Sequence, residues 1–477
     1  MKGIEQSMYQ PKYPHSHDRY IHLKIPRIIL VVLAILSTAL LSACTATTPD
    51  TTPMPTLPPE LALEPTATNI PLTPTLPPAT PTSKPAPTLP PPTEEPTLEV
   101  LTEEGNGIAL SLPQPAEGAP GLAATTNVNV RSGPGVDYAS YGVLLEGSAA
   151  TITGVSSDGA WWVVDYPEAA LDQGWVSGEF TVASNATDVP VVQPPPVPPT
   201  LRFTSPPAGN TPQGLVVDNI YLRSGPGTEY TAYGVIPARK TATIIGRNRK
   251  GDWWTIQVNS NLVPSQHGWV PAAYVRAQNV RYMVANPIQP IPDYADLSAP
   301  AEGAPAAYPM TPVYLRSGPG LEYPVLGTAS PDTIGEITGI SANGEWWQLS
   351  VPLEVSLDGL AWVTAPFIFT ANAGEVPVVE PPAVPKAVES IQPSAGDPSL
   401  LTLEAVNFFA GPGNEWPLLG VLPGNAQAVV LGISPDNNWY IVRIPRAADP
   451  GGRGWVSAEF VEVELKRGVP IVEPPPK

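Results

Sequence analysis

Apolar and polar residues alternate in one recurring way along this 477-residue chain. In each of four stretches two apolar residues flank one intervening position, which puts both on one face of an extended strand. A period of two predicts a β-strand with one buried side. The apolar pairs are Val128 and Val130, Ile220 and Leu222, Val313 and Leu315, and Val406 and Phe408.

A Gly-Pro-Gly turn ends each of these four strands. Its first glycine occupies positions 133, 225, 318 and 411, so the spacing is 92 residues once and 93 residues twice. Proline presets φ at the first turn position and glycine tolerates a positive φ at the next, which favours a type II turn. The regular spacing indicates an internal repeat.

Two aromatic marks keep the same period. A Gly-Trp-Val strand has its tryptophan at positions 175, 269 and 455, with Ala-Trp-Val around position 362 in the third repeat. Before it, an aromatic pair opens another strand: Trp161-Trp162, Trp253-Trp254, Trp346-Trp347 and Trp439-Tyr440. Three marks in one order, four times, predict duplicated all-β modules. No convincing amphipathic helix is present in them.

The repeat predicts four small modules joined by linkers. Proline accounts for 66 of the 477 residues, far above the usual ~5 %, and packed strands do not tolerate that density. The predicted modules 1 to 4 are residues 122–183, 212–277, 308–371 and 400–465. The predicted proline-rich linkers are residues 184–211, 278–307 and 372–399.

The first 106 residues are predicted to lie outside the modules. Residues 1–43 resemble a signal peptide, with a basic flank and an apolar run over 28–41 that is short for a membrane span. The run ends in Leu-Ser-Ala-Cys, which resembles the bacterial lipobox and implies lipidation of Cys44; an uncleaved anchor is the alternative. Residues 44–106 are rich in Thr and Pro and are predicted to form a disordered stalk.

Charge and composition exclude several functions. The net charge of −19 argues against nucleic acid as a partner. Cys44 is the only cysteine, and beyond the leader the only histidine is His267. Such a body lacks the residues for a Ser-His-Asp triad in each module, a Cys-His nucleophile or a zinc site of the usual ligands. We therefore expect no enzyme activity, no cofactor and no metal.

The three marks resemble the bacterial Src homology 3 domain family. That pattern is an apolar strand, Arg-Ser-Gly-Pro-Gly, an aromatic residue three positions later, a hairpin into an aromatic pair and then Gly-Trp-Val. The aromatic residues are Tyr138, Tyr230, Tyr323 and Trp416. The resemblance implies a roughly five-stranded β-barrel per module that binds cell-wall peptides or other envelope ligands. Two departures are a longer loop before Gly-Trp-Val and Phe409 in place of arginine.

Strand periodicity divides the aromatic residues between two faces. The second residue of each pair, as in Trp254, shares its face with apolar residues and is predicted to be buried. The first residue shares a mixed face and is predicted to be half exposed, either as a binding platform or as a cap on an open barrel end. The tryptophan of Gly-Trp-Val is predicted to be core.

The arginine of the motif has two interpretations. It captures a carboxylate of a wall peptide, or it forms a local ion pair, which we favour, with Asp137, Glu229 or Glu322. His267 is interpreted as a loop residue. The candidate ligand-binding residues are Arg131, Tyr138, Trp161, Arg223, Tyr230, Trp253, Arg316, Tyr323, Trp346, Trp416 and Trp439.

The expected function is that of a non-catalytic binding protein, anchored by lipid to the extracytoplasmic face of the cell membrane. Its modules are expected to bind peptidoglycan peptides with low single-module affinity. The alternative is a scaffold or spacer that presents modules to an envelope protein.

A Val-Pro-Val-Val or Val-Pro-Ile-Val segment follows three modules, at residues 189–192, 376–379 and 469–472. The last copy stands after module 4, where no further module is linked in this sequence. Proline excludes a central strand but suits an extended segment laid on a surface. We therefore predict that this segment packs on its own or a neighbouring barrel; a copied linker is the alternative.

Overall fold

The computed structural model describes residues 107–465 and 468–476. The predicted signal peptide, Cys44 and the whole of the predicted stalk lie outside the described residues. The all-β prediction is confirmed, because 28 strands and five single turns of 3-10 helix make up the regular structure of the described residues. In this part of the chain no helix has the length and apolarity needed to cross a membrane.

The strands fall into four sets of seven, for which we keep the names modules 1 to 4. Module 1 contains β1 (Gly121–Ala124), β2 (Val128–Arg131), β3 (Ser140–Leu144), β4 (Ala149–Val155), β5 (Trp161–Asp165), β6 (Gln173–Ser177) and β7 (Thr181–Ser184). Module 2 contains β8 (Gln213–Val216), β9 (Ile220–Arg223), β10 (Ala232–Ile236), β11 (Thr241–Arg247), β12 (Trp253–Gln257), β13 (His267–Pro271) and β14 (Val275–Gln278).

The second half repeats this division. Module 3 contains β15 (Ala306–Pro309), β16 (Val313–Arg316), β17 (Val325–Ala329), β18 (Gly335–Ile340), β19 (Trp346–Ser350), β20 (Leu360–Thr364) and β21 (Ile368–Ala371). Module 4 contains β22 (Ser399–Thr402), β23 (Val406–Phe409), β24 (Leu418–Leu422), β25 (Gln427–Ile433), β26 (Trp439–Arg443), β27 (Arg453–Ser457) and β28 (Val461–Glu464). The 3-10 turns are η1 (Ala170–Asp172), η2 (Gly178–Phe180), η3 (Ala272–Tyr274), η4 (Ala365–Phe367) and η5 (Ala458–Phe460).

All four modules have one strand order. In module 1 it is β3-β2-β6-β5-β4-β1-β7, and the corresponding strands of the other modules follow the same path. Neighbouring strands within a module are antiparallel. The resemblance implied roughly five strands; the structure has seven because β1 pairs with β4 on one side and with β7 on the other.

The tryptophan of the Gly-Trp-Val strand is buried in every module. Trp175, Trp269, Trp362 and Trp455 are buried, which confirms their predicted core position. The second residue of each aromatic pair also faces the core. Trp254 is buried, and Trp162, Trp347 and Tyr440 are partly buried and packed on core residues.

The proline-rich segment after each module packs on that module. We call these segments straps. Each strap forms a parallel β-bridge with the last strand before the aromatic pair: Val191 with Val155, Ala285 with Arg247, Val378 with Ile340, and Ile471 with Ile433. This confirms the prediction made for the Val-Pro-Val-Val segments.

A glycine in the bridged strand makes room for the strap. A Cβ atom added at Gly339 would lie 2.2 Å from Cγ2 of Val379 and 3.2 Å from the carbonyl oxygen of Pro377. No side chain fits in that space. The strap therefore belongs to the packed module. If it were a flexible linker, any residue could take the place of Gly339.

Consecutive modules also contact each other directly. The first backbone NH of the strand after the Gly-Pro-Gly turn donates to a carbonyl oxygen of the next module: Ser140 to Asn219 at 2.7 Å, Ala232 to Pro312 at 3.3 Å, and Val325 to Ala405 at 2.9 Å. The modules of the described body are therefore packed together, and the proline-rich segments do not hold them apart.

The long loop before the Gly-Trp-Val strand has a packing role in module 2. Its residue Pro264 lies against Gly424 of module 4, where an added Cβ would be 2.6 Å from the proline ring. His267, the first residue of β13, pairs with Glu462 of module 4 at 3.0 Å. His267 was interpreted as a loop residue; it is a strand residue at an interface between modules 2 and 4.

Candidate ligand groove

A cavity of about 730 Å³ lies on the surface of module 2. Three segments form its walls: the Gly-Pro-Gly turn after β9, the hairpin tip between β11 and β12, and the strap of module 2. The volume is in the range of sites that hold small ligands or short peptides. We call this cavity the module 2 groove.

Tyr230 forms the floor of the groove beneath the turn. Its ring packs on Gly225, where an added Cβ would lie only 2.2 Å from the ring. The first glycine of the motif is therefore needed for close approach of this aromatic residue. The Tyr230 hydroxyl donates to the carbonyl oxygen of Gln289 at 2.9 Å. Burial, and then the charge of Glu229, raise the pKa of Tyr230 to about 12, so the phenol stays neutral.

The hairpin tip is held rigidly by Asn248. Its side-chain oxygen accepts hydrogen bonds from the backbone NH groups of Gly251 at 2.8 Å and Trp253 at 3.2 Å. Its amide donates to the Asp252 carboxylate at 2.5 Å. These bonds fix the residue at the start of β12, so that Trp253 lines the groove in a defined orientation.

The groove combines apolar walls with charges of both signs. Trp253, Ile288 and Ile291 supply apolar surface, and Ile291 of the strap is 65 % exposed. Basic and acidic side chains also line it: Arg249, Lys250, Glu229 and Asp252. Such a surface suits a ligand that carries apolar groups together with both a positive and a negative charge.

The structure brings Tyr230 and Trp253 together in this groove, as two of the three candidates from module 2. The equivalent tyrosines of modules 1 and 3 bind their own straps. The Tyr138 hydroxyl donates to the carbonyl oxygen of Pro195, and that of Tyr323 to Pro382, both at 2.7 Å. In module 4 the corresponding aromatic residue, Trp416, is packed on Gly411. In three modules a carbonyl oxygen of the strap thus accepts a hydrogen bond from the tyrosine hydroxyl.

The arginines of the motif are not in the groove but in the interfaces between modules. The guanidinium of Arg131 pairs with Asp218 at 2.9 Å, and that of Arg316 pairs with Glu404 at 2.6 Å. The third arginine, Arg223, donates to the Thr311 hydroxyl at 3.0 Å. All three side chains are buried.

The expected local ion pairs with Asp137, Glu229 and Glu322 are therefore wrong. The packing of the next module supplies a nearer partner and excludes water from the arginine. The guanidinium groups of Arg131 and Arg316 are also already paired, so they are not open to a wall peptide as the sequence suggested. In module 4 the position is Phe409, which packs edge-to-face on Trp439 with ring centroids 6.0 Å apart.

The first tryptophans of the aromatic pairs have unequal surroundings. All four are partly buried. Trp253 lines the module 2 groove, Trp346 lines a cavity of about 80 Å³, and Trp439 lines one of about 320 Å³ between modules 3 and 4. Trp161 lines none of the cavities described. The four copies of the motif do not form four equal sites.

Sequence reasoning missed the strap and hairpin-tip residues of the groove. Ile288, Gln289 and Ile291 belong to a segment that lacks the Val-Pro-Val-Val pattern seen after the other modules. The available signal was the position of that segment, which follows β14 as the other straps follow their modules. The Val-Pro-Val-Val pattern alone did not identify this strap, because the residue that forms its β-bridge is Ala285 and not a valine or isoleucine.

Comparison with known proteins gives one family match. Residues 218–276 match the model of the bacterial SH3 domain. This stretch spans β9 to the first half of β14 and contains the turn, the hairpin tip and Trp253 of the groove. Module 2 therefore contains a bacterial SH3 domain.

One curated relative is "Putative N-acetylmuramoyl-L-alanine amidase YrvJ" of Bacillus subtilis. It is 22 % identical over 257 residues, which cover 54 % of this chain and 44 % of that protein. The chain thus spans less than half the length of this relative. The expectation that the chain is not an enzyme is contradicted by this relationship, since the relative is named as an amidase.

Two solved structures are also similar over part of the chain. They are NlpC1 and NlpC2 from Trichomonas vaginalis, with 10 % and 11 % sequence identity. The matches cover 55 % and 56 % of this chain and 92 % and 97 % of those chains. Both TM-scores are 0.12, too low to indicate a shared arrangement of the whole body.

Proposed function

We propose that the module 2 groove binds the peptide part of a cell-wall polymer. The observation that carries this proposal is that the turn and the hairpin tip of the groove belong to the bacterial SH3 domain of residues 218–276. A second support is the curated relative, whose name describes action on the bond between an N-acetylmuramoyl group and L-alanine. We further propose that the four modules are four copies of this domain, which their common strand order supports.

The chemistry of the groove fits a short peptide with charges of both signs. The Trp253 ring and the exposed Ile291 side chain cover apolar parts of the ligand. Lys250 and Asp252, at the hairpin tip, meet its carboxylate and its ammonium group. These charges are solvent-exposed, so each contributes little and the affinity of the single groove is low.

A pull-down on insoluble wall sacculi tests the proposal with the full chain. Ile291→Asp should reduce binding several-fold, because it adds a charge to an apolar wall of the groove. Val191→Asp is the matched control, since Val191 is a strap residue of module 1 that is 66 % exposed, as Ile291 is 65 % exposed. Equal binding by both variants and the original chain would place the ligand elsewhere. Assay of the supernatant for released amino groups shows whether bound peptide is also cleaved.

The membrane anchor is a separate part of the proposal. The Leu-Ser-Ala-Cys sequence at residues 41–44 supports lipidation of Cys44 and attachment to the extracytoplasmic face of the membrane. Cys44→Ala should release the protein from the membrane fraction or block its processing. Unchanged mobility and unchanged membrane association would contradict the lipid anchor without bearing on the groove.

A further inference from the structure

The three motif arginines are equivalent in sequence, yet one has no acidic partner. In modules 1 and 3 the arginine Nη2 atom donates to a carboxylate of the next module, Asp218 or Glu404. In module 2 the position of that carboxylate is taken by Thr311. Among the described residues no carboxylate forms an ion pair with Arg223; Glu229 acts on its charge from beyond ion-pair distance.

Arg223 is nevertheless as buried as the two paired arginines. It is 7 % exposed, against 7 % for Arg131 and 3 % for Arg316. The hydrogen bonds it makes run from Nη1, to the carbonyl oxygens of Tyr230 and Thr228 and to the Thr311 hydroxyl. Its Nη2, the atom that binds the acid in the other two modules, has no hydrogen-bond partner among the described residues. A buried cation without a carboxylate is costly.

Arg223 lines a cavity of about 190 Å³ where modules 1, 2 and 3 meet. Tyr274, which is 2 % exposed, also lines this cavity. The cavity opens towards solvent beside Ile108, which is 46 % exposed, and the exposed carboxylate of Glu168. The buried Arg223 cation thus borders a space that is connected to water.

We propose that this cavity binds the carboxylate of a free α-amino acid or of a peptide C-terminus. The ligand carboxylate takes the place on Arg223 that Asp218 and Glu404 take on the other two arginines. Guanidinium and carboxylate are matched for such charge-assisted bonds. The carboxylate of Glu168 at the opening suits the α-ammonium group. The volume, well below that of drug-sized sites, limits the ligand to about one residue.

This site is distinct from the module 2 groove and does not depend on its proposed function. Thr228 and Trp253 line both cavities, but the strap residues of the groove do not line the Arg223 cavity. Ile291→Asp should therefore leave the Arg223 site unchanged. Failure of the wall-binding test and failure of the amino-acid-binding test can therefore be told apart.

The first test is titration of the full chain with L-alanine and with L-alaninamide, followed by calorimetry. Alanine should bind in a saturable way. Alaninamide, which lacks the carboxylate, should bind at least about tenfold more weakly, as expected for loss of a hydrogen-bonded charge. Equal binding of the two compounds, or no binding of alanine, would overturn the proposal.

The second test supplies the missing acid from within the chain. Thr311→Glu should pair with Arg223 as Glu404 pairs with Arg316, and should weaken alanine binding at least about tenfold. Thr311→Val is the matched control, because it changes the same side chain without adding a carboxylate, and it should still bind alanine. A folded Thr311→Glu variant that binds alanine like the original chain contradicts the proposal. If that variant does not fold, the comparison of alanine with alaninamide decides the question.

Discussion

The ion pair between Arg316 and Glu404 is the most deeply buried charge pair in the described body. The Glu404 side chain has no exposed surface and that of Arg316 is 3 % exposed, at a distance of 2.6 Å. Arg316→Met keeps most of the stem volume but removes the cation, so Glu404 is left as a buried charge. Breaking such a pair by removing one partner costs about 3–5 kcal/mol. The free energy of unfolding should fall by about this amount.

Two further variants separate the charge effect from loss of packing. Arg316→Met combined with Glu404→Leu removes both charges and should recover most of the loss, since replacing a buried pair by apolar residues is often neutral or stabilising. Arg131→Met is the matched control for position in the module. Its partner Asp218 is 13 % exposed and the pair is 2.9 Å long, so water screens the remaining charge and the loss should be smaller.

Urea unfolding of the full chain, followed by tryptophan fluorescence, measures these differences. The loss in Arg316→Met should shrink at acid pH, because burial raises the pKa of Glu404 against the opposing effect of Arg316 and the carboxyl without its cation protonates more readily. A loss below about 1 kcal/mol at neutral pH, or a double variant no more stable than the single one, would refute this reasoning.

Four other substitutions, one of them a control, test the packing of the straps and of module 4. Gly339→Ala should displace its strap and expose it to proteolysis, whereas Gly374→Ala, with no atom near the added Cβ, should not. Burial lowers the pKa of His267, but the hydrogen bond and the charge of Glu462 outweigh burial and raise that pKa. The stabilisation of the folded state by the pair of His267 and Glu462 is therefore complete below about pH 6.5 and is lost as the pH rises through the raised pKa of His267. His267→Gln should remove that dependence from thermal midpoints measured over pH 5–9. Burial raises the pKa of Glu459 to about 7. Between about pH 4.5 and 7 the folded state therefore binds more protons than the unfolded state, so the stability falls as the pH rises. Glu459→Gln should flatten this slope, and an unchanged slope would contradict the prediction.

Local features of the fold were predictable because they depend on neighbouring residues. The alternation at Val128 and Val130 is decided by strand geometry, and both residues are buried in β2. The tryptophan of Gly-Trp-Val is too large and apolar to lie outside a small module, and Trp175 is 1 % exposed. The repeated Val-Pro-Val-Val segment predicted a packed strap, because a copied linker has no physical reason to keep its apolar residues.

The interfaces between modules were not predictable in this way. The partner of Arg131 lies 87 residues away, and no local pattern indicates that Asp218 will approach it in the next module. The same limit applies to His267, whose partner Glu462 belongs to module 4. Local spacing suggested Asp137 as the partner of Arg131, but a contact made by packing whole modules together replaces a weak exposed pair with a buried one.

The same packing explains why one motif produces different sites in different modules. In modules 1 and 3 the next module delivers a carboxylate to the motif arginine, and the interface is closed by Asp218 or Glu404. In module 2 it delivers Thr311, so Arg223 keeps an unpaired donor facing a cavity. The strap of module 2, which lacks the valine-rich pattern, borders an open groove beside Trp253. Both candidate cavities involve module 2, where the repeat differs in the strap and in the residue that module 3 presents to the motif arginine.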